Sequence, residues 1–535
     1  MESARLLPLS PADTTFNENT IGLPALYEQR IFRDRHNVGS FGKSLWLQLR
    51  WLLRRCRTRI KYQSLLFNTR RTNLRRSSAC SWLLWFSRIA LYFATLFVLV
   101  SAFEAVFYPS YQNPPKHYDT LRQKIVSSYN LGRGNVHNEK VFIAANIVDE
   151  KMIRGPWSTA LVKLIEILGE ENVFVSIYQN DSGNGTSTAL NELREHLLCN
   201  SSIVTGDHLP LSQFPTVILP NGERRTKRIA YLAEVRNRAL KPLDPSYSPR
   251  KNTNGFQSTS AKFDKILFLN DVYFSPIDAA QLLFSTNADS SGRARYRAAC
   301  AIDFTSIFKF YDTFVVRDTE GNHIGTPFFP WFSTAGKSES RRDVLDGKDA
   351  VRVRSCWGGM VAFDAHAFQR PSASFEGTHA LSLRFRHEPE PFWEAAECCL
   401  LFADMEQQLG MPAPNHGSGV FINPYIRVAY SPTTWEWMRS FWRYERVFTN
   451  FQYIVNTVFY RSYNPRRLHN PGQLVKEKVW VTDTQKPQRG SFQMLERLAA
   501  PGGFCGQRAM FVMQKDVEAA NSNGSGKNWE EIEAP

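Results

Sequence analysis

A run of apolar residues from Trp82 to Tyr108 follows directly on a strongly basic segment, and no other feature restricts the possible folds of this chain as much. As a helix rising about 1.5 Å per residue it would extend roughly 40 Å, more than the roughly 30 Å hydrocarbon core of a bilayer. Its uncharged centre is Ile89–Phe103. Trp82, Trp85 and Tyr108 suit the two headgroup layers, and the long stem of Arg88 can reach back toward the basic side. A buried core helix is the competing reading. A cleaved signal peptide is excluded, because about 80 residues precede the run.

Charge gives the run a direction. Residues 1–81 contain 15 Lys/Arg against 5 Asp/Glu and so carry most of the net +15. Arg50, Arg54, Arg55, Arg57, Arg59, Arg70, Arg71, Arg75 and Arg76 all stop just before the apolar run. That order is the positive-inside pattern, which leaves the tail cytoplasmic and everything after Tyr108 lumenal. A juxtamembrane position accounts for the arginines without nucleic acid, and the rest of the chain is nearly balanced. The expected division is therefore a largely disordered basic tail (1–81), a signal-anchor helix (82–108), a Pro-containing stem (109–138), a lumenal domain (139–515) and a disordered C-terminal tail (516–535).

Two features agree with a secretory lumen. The sequons at Asn180, Asn184, Asn200 and Asn523 all follow the anchor, although such tripeptides also arise by chance. Six of the eight cysteines follow it as well, an even number that allows disulfides without fixing their pairing.

Within the lumenal part, short apolar runs alternate with helical patterns, which points to an α/β domain. Val141–Val148 reads as a strand. Trp157, Leu161, Leu164, Ile165 and Leu168 share one helix face that stops at Gly169, and Val173–Tyr178 reads as a second strand. Arg225–Leu240 reads as a helix that places Arg225, Arg228 and Arg236 on its apolar half, where they need anionic partners. A diphosphate would match guanidinium donors in pairs; internal salt bridges would serve as well. Lys241–Ala261, rich in Pro, Ser, Asn and Thr, reads as a loop or insertion.

The apolar strand Lys265–Leu269 then ends in Asn270-Asp271, which puts a carboxylate at a strand's carboxyl edge, where open α/β sheets bind ligands. Mg²⁺ or Mn²⁺ on such a carboxylate could bridge a nucleotide diphosphate; an ordinary turn has the same pattern. Asp303, after the apolar run Ala298–Ile302, could add a second ligand or cap a turn. Val351–Arg354 alternates as a strand and leads into Cys356-Trp-Gly-Gly-Met360, where Trp357, Gly358 and Gly359 could receive a sugar or form a structural turn. The segment Pro391–Leu409 puts Glu394, Glu397 and Asp404 on one helix face, either exposed at a rim or used in a site. His416 is a weaker candidate metal ligand.

Phe174–Tyr178, Ile229–Asn237, Leu267–Val272, Cys300–Asp303, Tyr311–Asp318, Pro327–Trp331, Cys356–Met360, Glu397–Leu400 and Asn423–Tyr430, taken in that order, resemble fungal glycosyltransferase family 69, the family of cryptococcal α-1,3-mannosyltransferases and capsule-associated proteins. The resemblance implies a GT-A-like, Rossmann-type nucleotide-sugar-binding domain in a Golgi type II membrane protein. It also implies transfer of mannose from GDP-mannose to a glycan or polysaccharide, with retention of configuration. On that reading Arg228, Arg236, Asn237 and Asn270 bind the donor diphosphate, and Asp271 is catalytic and holds a divalent cation, Mn²⁺ for preference, with Asp303 as a further ligand. Glu397 is the second catalytic residue, and Trp357, Gly358 and Gly359 position the sugars. GT-A enzymes usually carry two aspartates at the strand end, whereas this chain has only Asp271. A transferase of xylose or glucuronic acid, or a non-catalytic relative acting in polysaccharide assembly or export, is the alternative.

Overall fold

The computed structural model describes residues 78–534 except 181–182, 208, 245–261, 370–373, 376–377, 380–381, 410–418, 441–442, 460–466, 484, 487–488 and 515–527. The tail before Ser78, most of the Lys241–Ala261 loop, His416 and the sequon at Asn523 lie outside the described residues. The chain divides into two compact units, one of Met1–Val98 with Met513–Glu530, the other of Leu99–Val512 with Glu531–Pro535. Among the described residues of the first, Ser78–Val98 is helical throughout.

That helix, α1, runs over Ser78–Phe107. Trp85–Phe107 within it is long and apolar enough to cross a membrane, and its most apolar stretch is only 11% buried inside the protein. A core helix would be mostly covered, so the outward apolar surface of α1 favours the membrane reading over the core one.

The second unit is mixed α/β, as the alternation of patterns predicts. The elements that build and cover its sheet are, in chain order, α2 (Lys116–Ser127), β1 (Val141–Ala145), α3 (Pro156–Leu168), β2 (Val173–Asn180), α4 (Gly183–His196), β3 (Asn200–Asp207), α5 (Arg228–Leu240), β4 (Lys265–Leu269), α6 (Pro276–Phe284), β5 (Ala298–Ser306), β6 (Val351–Arg352), β7 (Met360–Asp364), α7 (Glu397–Leu409) and β8 (Val420–Ala429). The strands join in one sheet of order β3-β2-β1-β4-β7-β5-β8-β6, with Lys309–Phe310 added beside β5. Strands β3, β2, β1 and β4 are mutually parallel, with Ala145 level with both Ile177 and Leu269. The next strand, β7, runs antiparallel between β4 and β5.

Burial on both faces explains the near-continuous apolar strands. Along β1, Val141, Ile143 and Ala145 meet Leu161 and Leu164 of α3 and Leu282 and Leu283 of α6. Phe142 and Ala144 face the other way, into a layer with Ala233 and Leu240 of α5 and Leu400 of α7. Helix α3 ends where the sequence places its stop, at Gly169, whose φ of +89° suits a residue without Cβ.

Several expectations need correction. The segment 109–138 is not a plain stem, because α2 buries Tyr118, Leu121 and Ile125 in the core. The expected helix from Arg225 begins only at Arg228: residues Arg224–Thr226 instead form a strand paired with Thr216–Ile218. Likewise α7 begins at Glu397 rather than Pro391, and Glu394–Ala395 is a short strand. The C-terminal tail is structured over Trp529–Glu531, and the Ile532 N–H donates to the Met510 carbonyl. The cysteine pairing left open by the sequence is Cys300 with Cys356 and Cys399 with Cys505; Cys199 and Cys398 are buried thiols.

Candidate functional site

The site starts from the parallel pair β1 and β4, which end level with each other and are each followed by an asparagine. Asn146 donates to the carbonyls of Tyr178 (3.0 Å) and Val235 (3.1 Å), tying β2 and α5 to the end of β1. Asn270 is held on every side. Its N–H donates to the Gly359 carbonyl (2.9 Å), its carbonyl accepts from the Trp157 indole (3.0 Å), and its Oδ1 accepts from Trp357 Nε1 (3.3 Å) and Arg236 Nη1 (3.4 Å). Asp271 is thereby fixed, half-buried, at the carboxyl edge of the sheet. Burial pushes its carboxyl up to about 6; Asp149 pushes in the same direction and Arg236 opposes both. Asp149 follows the end of β1 and caps Glu150–Ile153 by accepting from the Met152 N–H.

A basic wall faces this edge. Arg236 Nε donates to Glu397 Oε1 (2.7 Å), and its guanidinium lies 4.5 Å from the centre of the Trp357 ring. With side chains 16% and 5% exposed, the Arg236–Glu397 pair is well withdrawn from solvent. Arg236 Nη2 has no hydrogen-bond partner among the described residues. Arg228, at the start of α5, is brought down to about 10 by burial, against the opposing pull of Glu397, Tyr311 and Glu394. Lys227 Nζ lies 3.8 Å from Glu394 Oε1 and donates to the Glu388 carbonyl (2.5 Å). Burial raises Glu394 to about 7 despite that neighbour.

A third group joins Asp303, which the sequence offers as a ligand or a cap, to Asp312 and Tyr430, which it does not single out. Asp303 is fully buried and accepts from Tyr430 Oη (3.0 Å) and the Asp312 N–H (3.1 Å). Asp312 accepts from the N–H groups of Val315 (3.1 Å) and Gly358 (3.3 Å). Desolvation first and mutual repulsion second hold Asp303 well above the usual carboxylate range, and burial lifts Asp312 to about 6. Tyr430 also feels Asp271, so this group borders the strand-end carboxylate. Asp303 and Asp312 are nine positions apart and joined directly, whereas Tyr430 is 127 positions from Asp303 and reaches it only because β5 and β8 pair, so spacing could not have found that partner.

The structure therefore brings Asn270, Asp271, Arg228, Arg236 and Glu397 together and gives other expected residues different tasks. Both amide atoms of Asn237 bond the backbone of Phe385 (2.8 and 2.9 Å), which makes it a strut. Trp357 is buried among Phe268, Phe363 and Phe385 with Arg236 against its ring, leaving no face for a sugar. A Cβ on Gly358 would stand 2.0 Å from the Ala301 carbonyl oxygen, and one on Gly359 would stand 2.8 Å from Val272; both glycines lie at positive φ, so the turn is close-packed against protein and not ligand. Asp303 has both oxygens engaged within the protein, as the turn-cap reading would have it, and does not fit a metal. Arg225 pairs with Glu223, and Asp404 with Arg386. Of the sequons, Asn180 is buried against Tyr231 and is a poor acceptor, Asn200 is exposed, and the Asn184 side chain lies outside the described residues.

Comparison with known proteins matches residues 140–404 to the family described as cryptococcal mannosyltransferase 1. Alpha-1,3-mannosyltransferase CMT1 of Cryptococcus neoformans var. neoformans serotype D is 23% identical over 285 residues, 50% of this chain and 53% of that protein, so the chain spans about half the length of this curated relative. Among solved structures, mannosyltransferase PcManGT from Pyrobaculum calidifontis, in complex with GDP-Man and Mn²⁺, aligns at 10% identity and a TM-score of 0.29 over 62% of this chain and 66% of its own. Mannosyl-3-phosphoglycerate synthase from Rubrobacter xylanophilus aligns at 11% identity and a TM-score of 0.28 over 72% of this chain and 97% of its own.

Proposed function

We propose, from the premise that this chain belongs through residues 140–404 to the cryptococcal mannosyltransferase family, that it is a membrane-anchored GT-A-type transferase moving mannose from GDP-mannose to a glycan or polysaccharide. The α-1,3 linkage, retention of configuration and a Golgi type II placement with the site lumenal are part of the same proposal. The observation that carries the reading is that, at the carboxyl end of β4, the firmly held Arg236 guanidinium bonds Asn270, the residue next to the half-buried Asp271 carboxylate.

Arg228 and Arg236 act on the leaving nucleoside diphosphate. Glu397, Asn270 and the Trp357 ring fix Arg236, so its Nη2 N–H donors can meet phosphate oxygens without reorganisation. Glu397 is accordingly a positioning residue. Among the described residues no group of three or more His, Cys, Asp or Glu gathers. A divalent cation still fits, because Mg²⁺ or Mn²⁺ commonly takes one or two carboxylates and completes its shell with phosphate oxygens and water. Asp271, its charged form disfavoured by burial and by the charge of Asp149, is the carboxylate such an ion would relieve. When bound, the ion would neutralise charge building on the departing diphosphate.

The test is nucleotide release by the full chain in detergent from a panel of GDP-, UDP- and other nucleotide sugars, with and without Mn²⁺. GDP release from GDP-mannose is expected, with an Asp271→Ala loss of at least about a hundredfold, the scale of electrostatic transition-state groups. Release from UDP-xylose or UDP-glucuronic acid alone would overturn the donor; no release from any donor would favour a non-catalytic role.

A further inference from the structure

Two helices follow the last strand of the sheet, α8 (Pro432–Ser440) and α9 (Thr449–Phe459), and α9 is built the wrong way round for water. At about 100° per residue, Phe451, Ile454 and Val458 fall within an arc of roughly 60°. They are 46%, 50% and 64% exposed. The residues turned inward are polar: Gln452 Nε2 donates to the Phe332 carbonyl (3.1 Å), and Asn456 Oδ1 accepts from the N–H (2.8 Å) and hydroxyl (3.0 Å) of Thr326. A helix bordering water has the opposite arrangement. The outer face of α9 is suited to an apolar medium.

The contacts of α9 identify that medium. Asn450 Nδ2 donates to Glu104 Oε2 (3.3 Å) and Ser101 Oγ (3.4 Å), both in the last turns of α1. Just upstream of α9, Arg443 Nη1 donates to the Tyr111 carbonyl (2.6 Å), and Glu445 accepts from Ser110 Oγ (2.7 Å). The segment is thus fastened to the point where α1 ends and the chain enters the globular unit. Phe103, Val106, Phe107 and Tyr108 are exposed at that same end. Trp437 and Tyr444 add exposed aromatic rings with polar tips, and Arg439 lies over the Trp435 ring, a composition suited to the headgroup layer.

We propose that α9, with the neighbouring Trp437 and Tyr444, seats the protein on the membrane, the Phe451–Ile454–Val458 face of α9 lying at the boundary of headgroups and acyl chains and a lipid bilayer being its occupant. The inference rests on α1 spanning the membrane and goes beyond it: the globular unit itself presents a face to the bilayer.

The test uses the full chain in nanodiscs of phosphatidylcholine and phosphatidylserine. A diazirine-bearing amino acid replaces Leu96, Ile454, Val458 or Met494, one at a time; all four sites are exposed, and Met494 lies on the hairpin strand Gly490–Leu498. After irradiation, lipid adducts are measured by mass spectrometry. Positions 454 and 458 should give lipid adducts comparable to position 96 and at least about tenfold above position 494, as expected for side chains at acyl depth. Adducts at 96 with only water at 454 and 458 would overturn the seating alone, and crosslinks from 454 to a second copy of the chain would reassign the face to a dimer. Absence of lipid at 96 would overturn the span itself, and the seating with it.

Discussion

Asp271 shows what one residue can give up in stability for a site. Its folded carboxyl titrates at about 6, above the ordinary 3.8, so the folded state holds the proton more tightly than the unfolded state. Stability from this group is fully present below pH 3.8 and is lost as pH rises through about 6, because the charge must then sit half-buried beside Asp149. Asp271→Asn removes that charge. It should stabilise the full chain at pH 7 on the order of 1–2 kcal/mol, discounted for partial exposure, with the gain vanishing at pH 4. Thermal unfolding in detergent at both pH values checks this; an Asn variant no more stable than the parent at pH 7 would show that Asp271 is already compensated. The strand-end position of Asp271 was legible because an apolar run followed by Asn-Asp is a local signal. The partners of Arg236 were not, because Glu397, Trp357 and Asn270 are 161, 121 and 34 positions away and equally compatible with a free arginine. The sequence left diphosphate and internal salt bridge open, and the structure gives the second without excluding the first.

At the scale of elements, strands and helices were legible wherever an apolar period was long and its stops were local. Val173–Tyr178, Lys265–Leu269 and the Trp157–Leu168 face all stand, with shifts of a few residues at most. The starts of α5 and α7 were misplaced for a shared reason. Arg224–Thr226 pairs in a short hairpin with Thr216–Ile218 and Glu394–Ala395 with the distant Gly506–Gln507, and a two- or three-residue pairing leaves no period to read. Disulfides were illegible in the same way, and they join elements the sequence keeps apart. Cys300–Cys356 ties β5 to the turn before β7, while Cys399–Cys505 ties α7 to the turn at Gly503–Cys505. The loops they close span 56 and 106 residues, which on a chain-entropy basis are worth about 4 and about 5 kcal/mol. Replacing Cys399 and Cys505 together by Ser should therefore lower the melting temperature at least as much as replacing Cys300 and Cys356. Non-reducing thermal unfolding of the two double variants compares them, and a smaller loss for the longer loop would point to residual structure in the unfolded chain.

For the whole molecule, the sequence shows an apolar run with a basic flank, long enough as a helix to cross a membrane, but nothing in it shows how firmly the globular unit grips the segment leaving that helix. Residues 109–138 read as a stem because prolines and polar residues dominate the stretch and Tyr118, Leu121 and Ile125 offer only a short helical face; the structure packs that face into the core. Glu445 is the centre of this grip. It is buried, forms a two-pronged ion pair with Arg427 of β8 (Nη1 at 2.9 Å), and accepts from Ser110 just beyond α1. Burial alone would raise its pKa; Arg427, through charge and hydrogen bonds, together with Ser110 holds it below the ordinary value. Its contribution is thus present at neutral pH and is lost as pH falls through the depressed folded pKa. Glu445→Ala leaves the Arg427 guanidinium buried without its carboxylate, a change that costs on the order of 3–5 kcal/mol when a buried pair loses one member. Glu445→Gln keeps the shape and one acceptor and should cost less. The loss should appear first where the chain enters the unit. Limited proteolysis of the membrane-bound full chain should cut the Ala variant between residues 108 and 139 well before the parent, while the disulfide-closed sheet resists. Equal cutting of both would mean that α2, packed through Tyr118, Leu121 and Ile125, holds this segment without the Glu445 pair.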